Sequence, residues 1–322
     1  MKAMVVTAGL GTRLRPLTLE RAKPAIPLLG KPLIVWLLEK LIELGCTEFR
    51  LNLHHLPRSI ERIFASSQWS SLPVSFSHEP EILGTAGGLK ANEAFFDNAT
   101  FLMVNGDVLF DFPLDEAIEF HQQNKALATL ILFEQTAPFR YSPIKIDEQG
   151  QLAKFKDWSG PAGDVRPETF VFTGLHILEP EIFRYVPRGV FYEINDQTYP
   201  AALRDGQKIL GFPVQGYWND LGDPTRYLQA QQDWFIRLGI SPQVRISPDA
   251  QVDPSARLGP FVSVETGCRI ESESVLENSI LWEDTVLASG CSLRHCIVAA
   301  NVTVRDSCSD RIITRHGEVA LS

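Results

Sequence analysis

The sequence predicts a two-part chain: a mainly parallel α/β sheet covered by helices, then a short parallel β-helix. Three observations carry this. Apolar strand-like runs alternate with helix-patterned segments up to about Gly239. Beyond it, aliphatic residues recur at every sixth position. The composition shifts at the same place: no lysine follows Lys208, and residues 241–322 hold seven Arg against eleven Asp and Glu. The expected domains are therefore 1–240 and 241–322, divided near Ser241-Pro242. The 322 residues suffice for two cores at ~150 residues per domain.

The elements follow in order. Ala3-Met4-Val5-Val6 is a short apolar strand running into a glycine-rich loop. Pro32 to Leu44 is expected to be helical: proline suits the first turn, Leu33, Trp36, Leu37, Lys40, Leu41 and Leu44 recur at helical spacing, and Gly45 stops it. Phe49 to Leu53 reads as a strand, and Pro57 opens a helix through Phe64. Gly84 to Leu89 is a second glycine-rich turn, expected to open a helix over Leu89 to Phe95. Phe101 to Val104 and Ala126 to Phe133 read as buried strands. Strands alternating with helices imply a sheet covered on both faces.

In the second part, Ile246, Val252, Leu258, Val264, Ile270 and Leu276 stand six residues apart. Mostly small residues precede them by two places: Val244, Ala250, Ala256, Val262, Cys268 and Ser274. A period of six suits a parallel β-helix, in which each hexad forms one side of a triangular coil with its aliphatic residue pointing inward. The pattern loosens after Leu276 and resumes at Val286, Leu293, Val298 and Val304.

Composition excludes several classes. Hydrophobic residues at 44% and charged residues at 21% are globular proportions, unlike those of disordered, collagenous or coiled-coil chains. The net charge of −9 argues against nucleic acid as a partner. The five cysteines, Cys46, Cys268, Cys291, Cys296 and Cys308, form no C-x-x-C pair and read as reduced thiols of a cytoplasmic protein. The N-terminus enters a strand too soon for a secretory segment, and Ala126 to Phe133 is too short to span a bilayer, so no membrane anchor is expected. His54-His55 and His78 have no further ligand at metal spacing and read as loop residues beside a pocket.

The most informative segment is Thr7-Ala8-Gly9-Leu10-Gly11-Thr12-Arg13-Leu14-Arg15-Pro16-Leu17-Thr18, continued by Ala22-Lys23-Pro24-Ala25-Ile26-Pro27. Two glycines after a strand let successive backbone N–H groups wrap a polyphosphate. Arg13 and Lys23 add the cationic donors that a leaving diphosphate needs. It is neither a P-loop, which has G-K-[ST] opening a helix, nor a dinucleotide fingerprint with its third glycine. Asp107, in Asn105-Gly106-Asp107, follows a buried strand, and Asp220 lies between Trp218 and Gly222. Read from the residues alone, each serves equally as a turn aspartate or as half of an oxygen-rich Mg²⁺ site.

G-x-G-T-R-L-x-P-L-T followed by x-K-P-x-x-P resembles the signature of the sugar-1-phosphate nucleotidylyltransferases, or NDP-sugar pyrophosphorylases. The resemblance extends over Gly84-Thr85-Ala86-Gly87-Gly88-Leu89, Val104-Asn105-Gly106-Asp107, Phe172-Thr173-Gly174 and Trp218-Asn219-Asp220-Leu221-Gly222. It implies a Rossmann-like catalytic domain of the nucleotide-diphospho-sugar transferase type. The hexapeptide region looks like the left-handed β-helix appended to several branches, among them the mannose-1-phosphate guanylyltransferases.

The resemblance further implies nucleotidyl transfer from an NTP to a sugar 1-phosphate, with GTP and mannose 1-phosphate the favoured pair. Catalytic roles fall on Arg13, Lys23 and Asp107. The nucleotide is expected on Ala8, Gly9, Gly11, Thr12, Arg13, Lys23, Gly84, Gly87, Gly88 and Asp107. The sugar phosphate is expected on Gly174, Glu193, Asn195 and Lys156, and Mg²⁺ on Asp107 and Asp220. One position departs from the pattern. Many relatives carry a lysine in a stretch like F-x-E-K-P. In Lys154-Phe155-Lys156-Asp157-Trp158-Ser159 that position is Trp158, with Lys156 as the neighbouring cation. Competing readings are a UTP- or dTTP-dependent relative, a catalytically silent regulatory subunit, and acyl transfer in the β-helix. About eighty residues are short for the last of these. A homo-oligomer is expected, with the segment Ser289 to Ser322 capping the coil or meeting another subunit.

Overall fold

The computed structural model describes residues 1–135, 141–160 and 164–321, and these form two compact units: Met1–Gly9 with Trp36–Asp220, and Leu10–Val35 with Leu221–Ser322. The first is built on a seven-stranded sheet. Its strands are β1 (Lys2–Val6), β2 (Glu48–Leu53), β3 (Val74–His78), β4 (Phe101–Asn105), β6 (Ala128–Glu134), β7 (Phe170–Leu178) and β8 (Ile209–Val214), in the order β8-β6-β7-β4-β1-β2-β3. β1 pairs in parallel with β2 and β4, as β2 does with β3 and β8 with β6. β7 alone runs antiparallel to both of its neighbours. A separate two-stranded ladder joins β5 (Leu109–Asp111) to β9 (Tyr217–Asn219).

The mainly parallel sheet expected from the alternation is therefore present. The core over β4, β6 and β7 includes Met103, Leu130, Leu132, Phe101 and Leu178, all fully buried. The helices are α1 (Leu33–Glu43), α2 (Pro57–Ala65), α3 (Gly84–Ala91), α4 (Asp115–Asn124) and α5 (Tyr199–Arg204), all in or entering this unit. The glycine-rich stretch at Gly84 departs from the expected turn, because it is itself the helix α3. The carbonyl of Tyr192 accepts the N–H groups of Ala86 and Gly87, at 2.9 and 3.0 Å, which satisfies the first turn from outside the helix.

Within the sheet, His176 on β7 is fully buried and shares a 2.5 Å hydrogen bond between its Nδ1 and the Tyr199 hydroxyl. Burial pushes its pKa down from 6.5 to about 3. Between those values the unfolded chain takes up a proton that the folded chain refuses, so stability falls as the pH drops. From pH 7 to 5 this group alone contributes a loss of about 2 kcal/mol. Urea unfolding at the two pH values should show it, and His176→Gln should unfold with a shallower pH dependence. Equal dependences in the two proteins would contradict the assignment.

In the second unit, α6 (Pro224–Arg237) is capped by Asp223, whose carboxylate accepts the Arg226 N–H at 2.9 Å. The coil follows. Val244 pairs with Val262, Gln251 with Arg269 and Arg257 with Val275, all in parallel and all 18 residues apart. Three hexads therefore close one turn. Val264, Ile270 and Leu276 are buried as expected, whereas Ile246, on the first and uncovered turn, is 41% exposed. After Leu276 the step shortens to 17: Ser263 pairs with Ile280, Arg269 with Val286 and Val275 with Ser292. This missing residue loosens the hexad pattern. It brings Leu281 and Leu287 inward and leaves Val286, an expected core position, only partly buried. Cys308–Thr314 and Gly317–Ala320 end the coil in an antiparallel hairpin. All five cysteines are unpaired, and four of them are buried.

Candidate active site

Parallel strands deliver their C-terminal ends to one edge of a sheet, and α/β proteins bind ligands there. At this edge Gly106 N–H bonds to the Val6 carbonyl at 2.9 Å, which carries the Asn105-Gly106-Asp107 turn to the end of β1. Beside it, Thr7 N–H donates to Asn52 Oδ1 at 2.8 Å, and Asn52 Nδ2 donates to Glu79 Oε1 at 2.8 Å. Glu79 Oε2 in turn accepts the Leu83 N–H at 3.0 Å, at the start of α3. Asn52 and Glu79 are both buried, so this bridge ties the ends of β1, β2 and β3 to the helix.

The sequence reading missed Asn52 and Glu79. Their signal is that each lies at the C-terminal end of a parallel strand, but the pattern of apolar residues does not register a polar residue there. His54 bonds through Nδ1 to the Glu79 carbonyl at 2.8 Å, and His78 bonds to Glu61 at 2.8 Å. Among the described residues no group of three or more His, Cys, Asp or Glu is gathered for a metal.

The β5–β9 ladder leaves the two aspartates at one end of it. Leu109 pairs with Asn219, so stepping back from Leu109 and forward from Asn219 carries the chain to Asp107 and Asp220 at the same end. Tyr141 donates to Asp220 Oδ2 at 2.8 Å, and its ring meets that of Trp218 edge-on, centroids 5.6 Å apart. Trp218 is anchored through Nε1 to the Thr173 carbonyl at 2.8 Å. The neighbouring Gly174 has φ +88°, at a register shift of β7 against β6. A Cβ there would stand 2.8 Å from Asn105 Nδ2, so the site needs both the left-handed backbone and the missing side chain.

The residues expected to contact the sugar phosphate divide. Lys156 and Asn195 line one cavity of about 210 Å³, together with Tyr141, Phe155 and Phe172. Asn195 Oδ1 is buried without a hydrogen-bond partner among the described residues. Lys156 occupies a tight turn at φ +51° and pairs with Asp196. Glu193 instead holds α3: its Oε2 accepts the Thr85 hydroxyl at 2.6 Å. Trp158 packs against the hydrophobic core and closes on Gly160, whose added Cβ would lie 2.5 Å from the indole. It offers no substitute for a lysine.

The glycines Gly84, Gly87 and Gly88 meet protein neighbours. Added Cβ atoms would lie 2.7 Å from the Tyr192 carbonyl, 2.5 Å from the Val190 carbonyl and 2.5 Å from Glu79 Oε1. Gly9, next to the buried Ala8, has open space where its Cβ would stand.

In the second unit the signature loop is a chain of short 3₁₀ turns, Thr12–Leu14, Leu17–Leu19 and Lys23–Ala25. Gly11 opens it at φ +59°, and its carbonyl accepts the Thr18 hydroxyl at 2.8 Å. Thr18 Cγ2 would lie 2.9 Å and Lys23 Cβ 3.4 Å from a Cβ on Gly11, so the loop folds back on itself. Thr12 and Arg13 are exposed, whereas Lys23 is buried.

Comparison with known proteins agrees with this architecture. Residues 2–235 match the nucleotidyl transferase family, and residues 240–317 match the GMPPB C-terminal domain. Relatives include a UTP–glucose-1-phosphate uridylyltransferase of Synechocystis, 34% identical over 71% of this chain and 62% of that protein. The catalytic subunit beta of a mannose-1-phosphate guanylyltransferase from Danio rerio is 32% identical over 71% of this chain and 63% of its own. The chain thus matches a little under two thirds of the length of either relative. The crystal structure of HddC from Yersinia pseudotuberculosis complexed with GMP-PN shares the fold, with a TM-score of 0.61 at 23% identity, over 72% of this chain and 99% of that one. With the family matched over residues 2–235, this chain belongs to the nucleotidyl transferase family.

Proposed function

We propose that the protein is a sugar-1-phosphate nucleotidylyltransferase, with GTP and mannose 1-phosphate its leading pair. The observation that carries the reading is the antiparallel pairing of Leu109 with Asn219, which leaves Asp107 and Asp220 at the same end of the β5–β9 ladder, with Tyr141 joining Asp220 to the cavity that Asn195 and Lys156 line. The match of residues 240–317 to the GMPPB C-terminal domain favours mannose and guanine. The uridylyltransferase relative makes UTP with glucose 1-phosphate the second reading.

The chemistry needs no covalent intermediate and no general base. A phosphate oxygen of the sugar 1-phosphate, already an anion, forms a bond to the α-phosphorus. The bond from that phosphorus to the β-phosphate bridging oxygen breaks, and pyrophosphate leaves with its electron pair. Arg13 and Lys23 neutralise the charge on the departing diphosphate, and the backbone N–H groups after Gly9 cradle it. Asn195 Oδ1 accepts a sugar hydroxyl, and Lys156 faces the acceptor phosphate.

The donor set fits a divalent cation. It offers two carboxylates and leaves the remaining positions to phosphate oxygens and water, as Mg²⁺ prefers. Asp107 and Asp220 would hold the ion, and Tyr141 fixes the orientation of Asp220. Bound there, Mg²⁺ offsets negative charge on the reacting phosphates.

Pyrophosphate release from each NTP against a panel of sugar 1-phosphates tests the proposal. GTP with mannose 1-phosphate should be fastest. Release from no combination would favour a silent subunit.

The division at residue 240, a cytoplasmic location and a homo-oligomer belong to the same proposal. The location rests on five unpaired thiols. Light scattering tests the assembly, with a dimer expected.

A further inference from the structure

The loop bearing Arg13 and Lys23 shares a compact unit with the coil, and it is held there on both sides of Lys23. Two residues before it, Arg21 lies over the Trp282 ring at 4.5 Å and pairs with Glu283. Trp282 is fully buried and donates through Nε1 to Tyr227 Oη at 3.1 Å, and Tyr227 in turn donates to the Pro27 carbonyl. On the other side of Lys23, Gly30 N–H donates to Glu265 Oε1 at 2.9 Å. Glu265 is itself held by the Ser263 hydroxyl at 2.9 Å and by Arg245 at 3.4 Å. The Arg245 guanidinium fills the space a side chain on residue 30 would need.

A segment of short 3₁₀ turns has little rigidity of its own, whereas stacked parallel strands with aliphatic residues inside are stiff. Clamping residues 21, 27 and 30 to that stack fixes the backbone on both sides of Lys23. We propose that the coil is a positioning element for the phosphate loop, acting through Glu283, Trp282 and Glu265. This rests on the nucleotidylyltransferase reading for the role of Lys23, but the mechanical claim stands apart from it. Glu283 and Glu265 touch no substrate and are positioning residues. Losing one should loosen the loop and weaken the grip on the triphosphate while sparing the acceptor.

The test uses the full chain with Glu283→Gln, Glu265→Gln and the double exchange Arg21→Glu/Glu283→Arg. Hydrogen exchange of backbone amides in residues 10–26 should quicken about tenfold in either single variant. The KM for the NTP should rise about tenfold while that for the sugar phosphate stays within about twofold. The double exchange should restore both, which a general packing defect would not. Unchanged exchange in both folded single variants overturns the proposal. So does faster exchange with an unchanged KM for the NTP, which would reduce the coil to packing. If the wild-type chain transfers no nucleotidyl group, the functional reading fails, and the exchange rates still decide whether the coil holds the loop.

Discussion

Asp107→Ala and Asp220→Ala should each lose at least about a thousandfold in turnover, equivalent to roughly 4 kcal/mol of transition-state stabilisation. A two-carboxylate site has no spare ligand, so removing either oxygen donor leaves the cation tethered from one side and poorly placed over the reacting phosphates. The fold should survive both changes. Both aspartates are only partly buried and stand beyond the last paired residues of the β5–β9 ladder, so no strand hydrogen bond depends on them. Steady-state rates at saturating Mg²⁺ together with melting curves check this. A folded variant with near-normal rates would remove that aspartate from the metal site.

Much of this was legible in the sequence, for physical reasons that differ by region. The coil announced itself because its interior admits only aliphatic or small residues at every sixth place, so Val264, Ile270 and Leu276 had to recur. The pattern failed at Val286 because the later turns are shorter than 18 residues, and a periodic argument cannot see a change of period in advance. The phosphate loop was legible because Gly11 must adopt a positive φ that few other residues accept. The antiparallel run of β7 was not: strand composition carries no sign of direction, and only the pairing reveals it. The Asn52–Glu79 bridge was likewise hidden, since it joins residues 27 apart across two parallel strands. Glu193, expected as a sugar ligand, also has a structural task that the sequence did not show, since its Oε2 accepts the Thr85 hydroxyl across 108 residues of chain. Asn195 remains a candidate for the sugar because its buried oxygen has no hydrogen-bond partner among the described residues.

Lys23→Ala should lower kcat/KM by about a hundred- to a thousandfold, the largest effect expected outside the two aspartates. The residue is only 7% exposed, so its ammonium acts in a medium where a charge is worth far more than in water. Arg13, by contrast, is exposed, and its replacement by alanine should cost less because water screens it. Lys23→Arg should not restore the rate. The backbone here is pinned by the 3₁₀ turn Lys23–Ala25 and by the close approach of Lys23 to Gly11, and a broad planar guanidinium needs room that a compact ammonium does not. The loss should fall on the step that releases pyrophosphate. A poorer leaving group than pyrophosphate would then widen the gap between variant and wild type, and a better one would narrow it. If Lys23→Ala loses the same factor with every leaving group, the ammonium acts elsewhere than on the departing diphosphate.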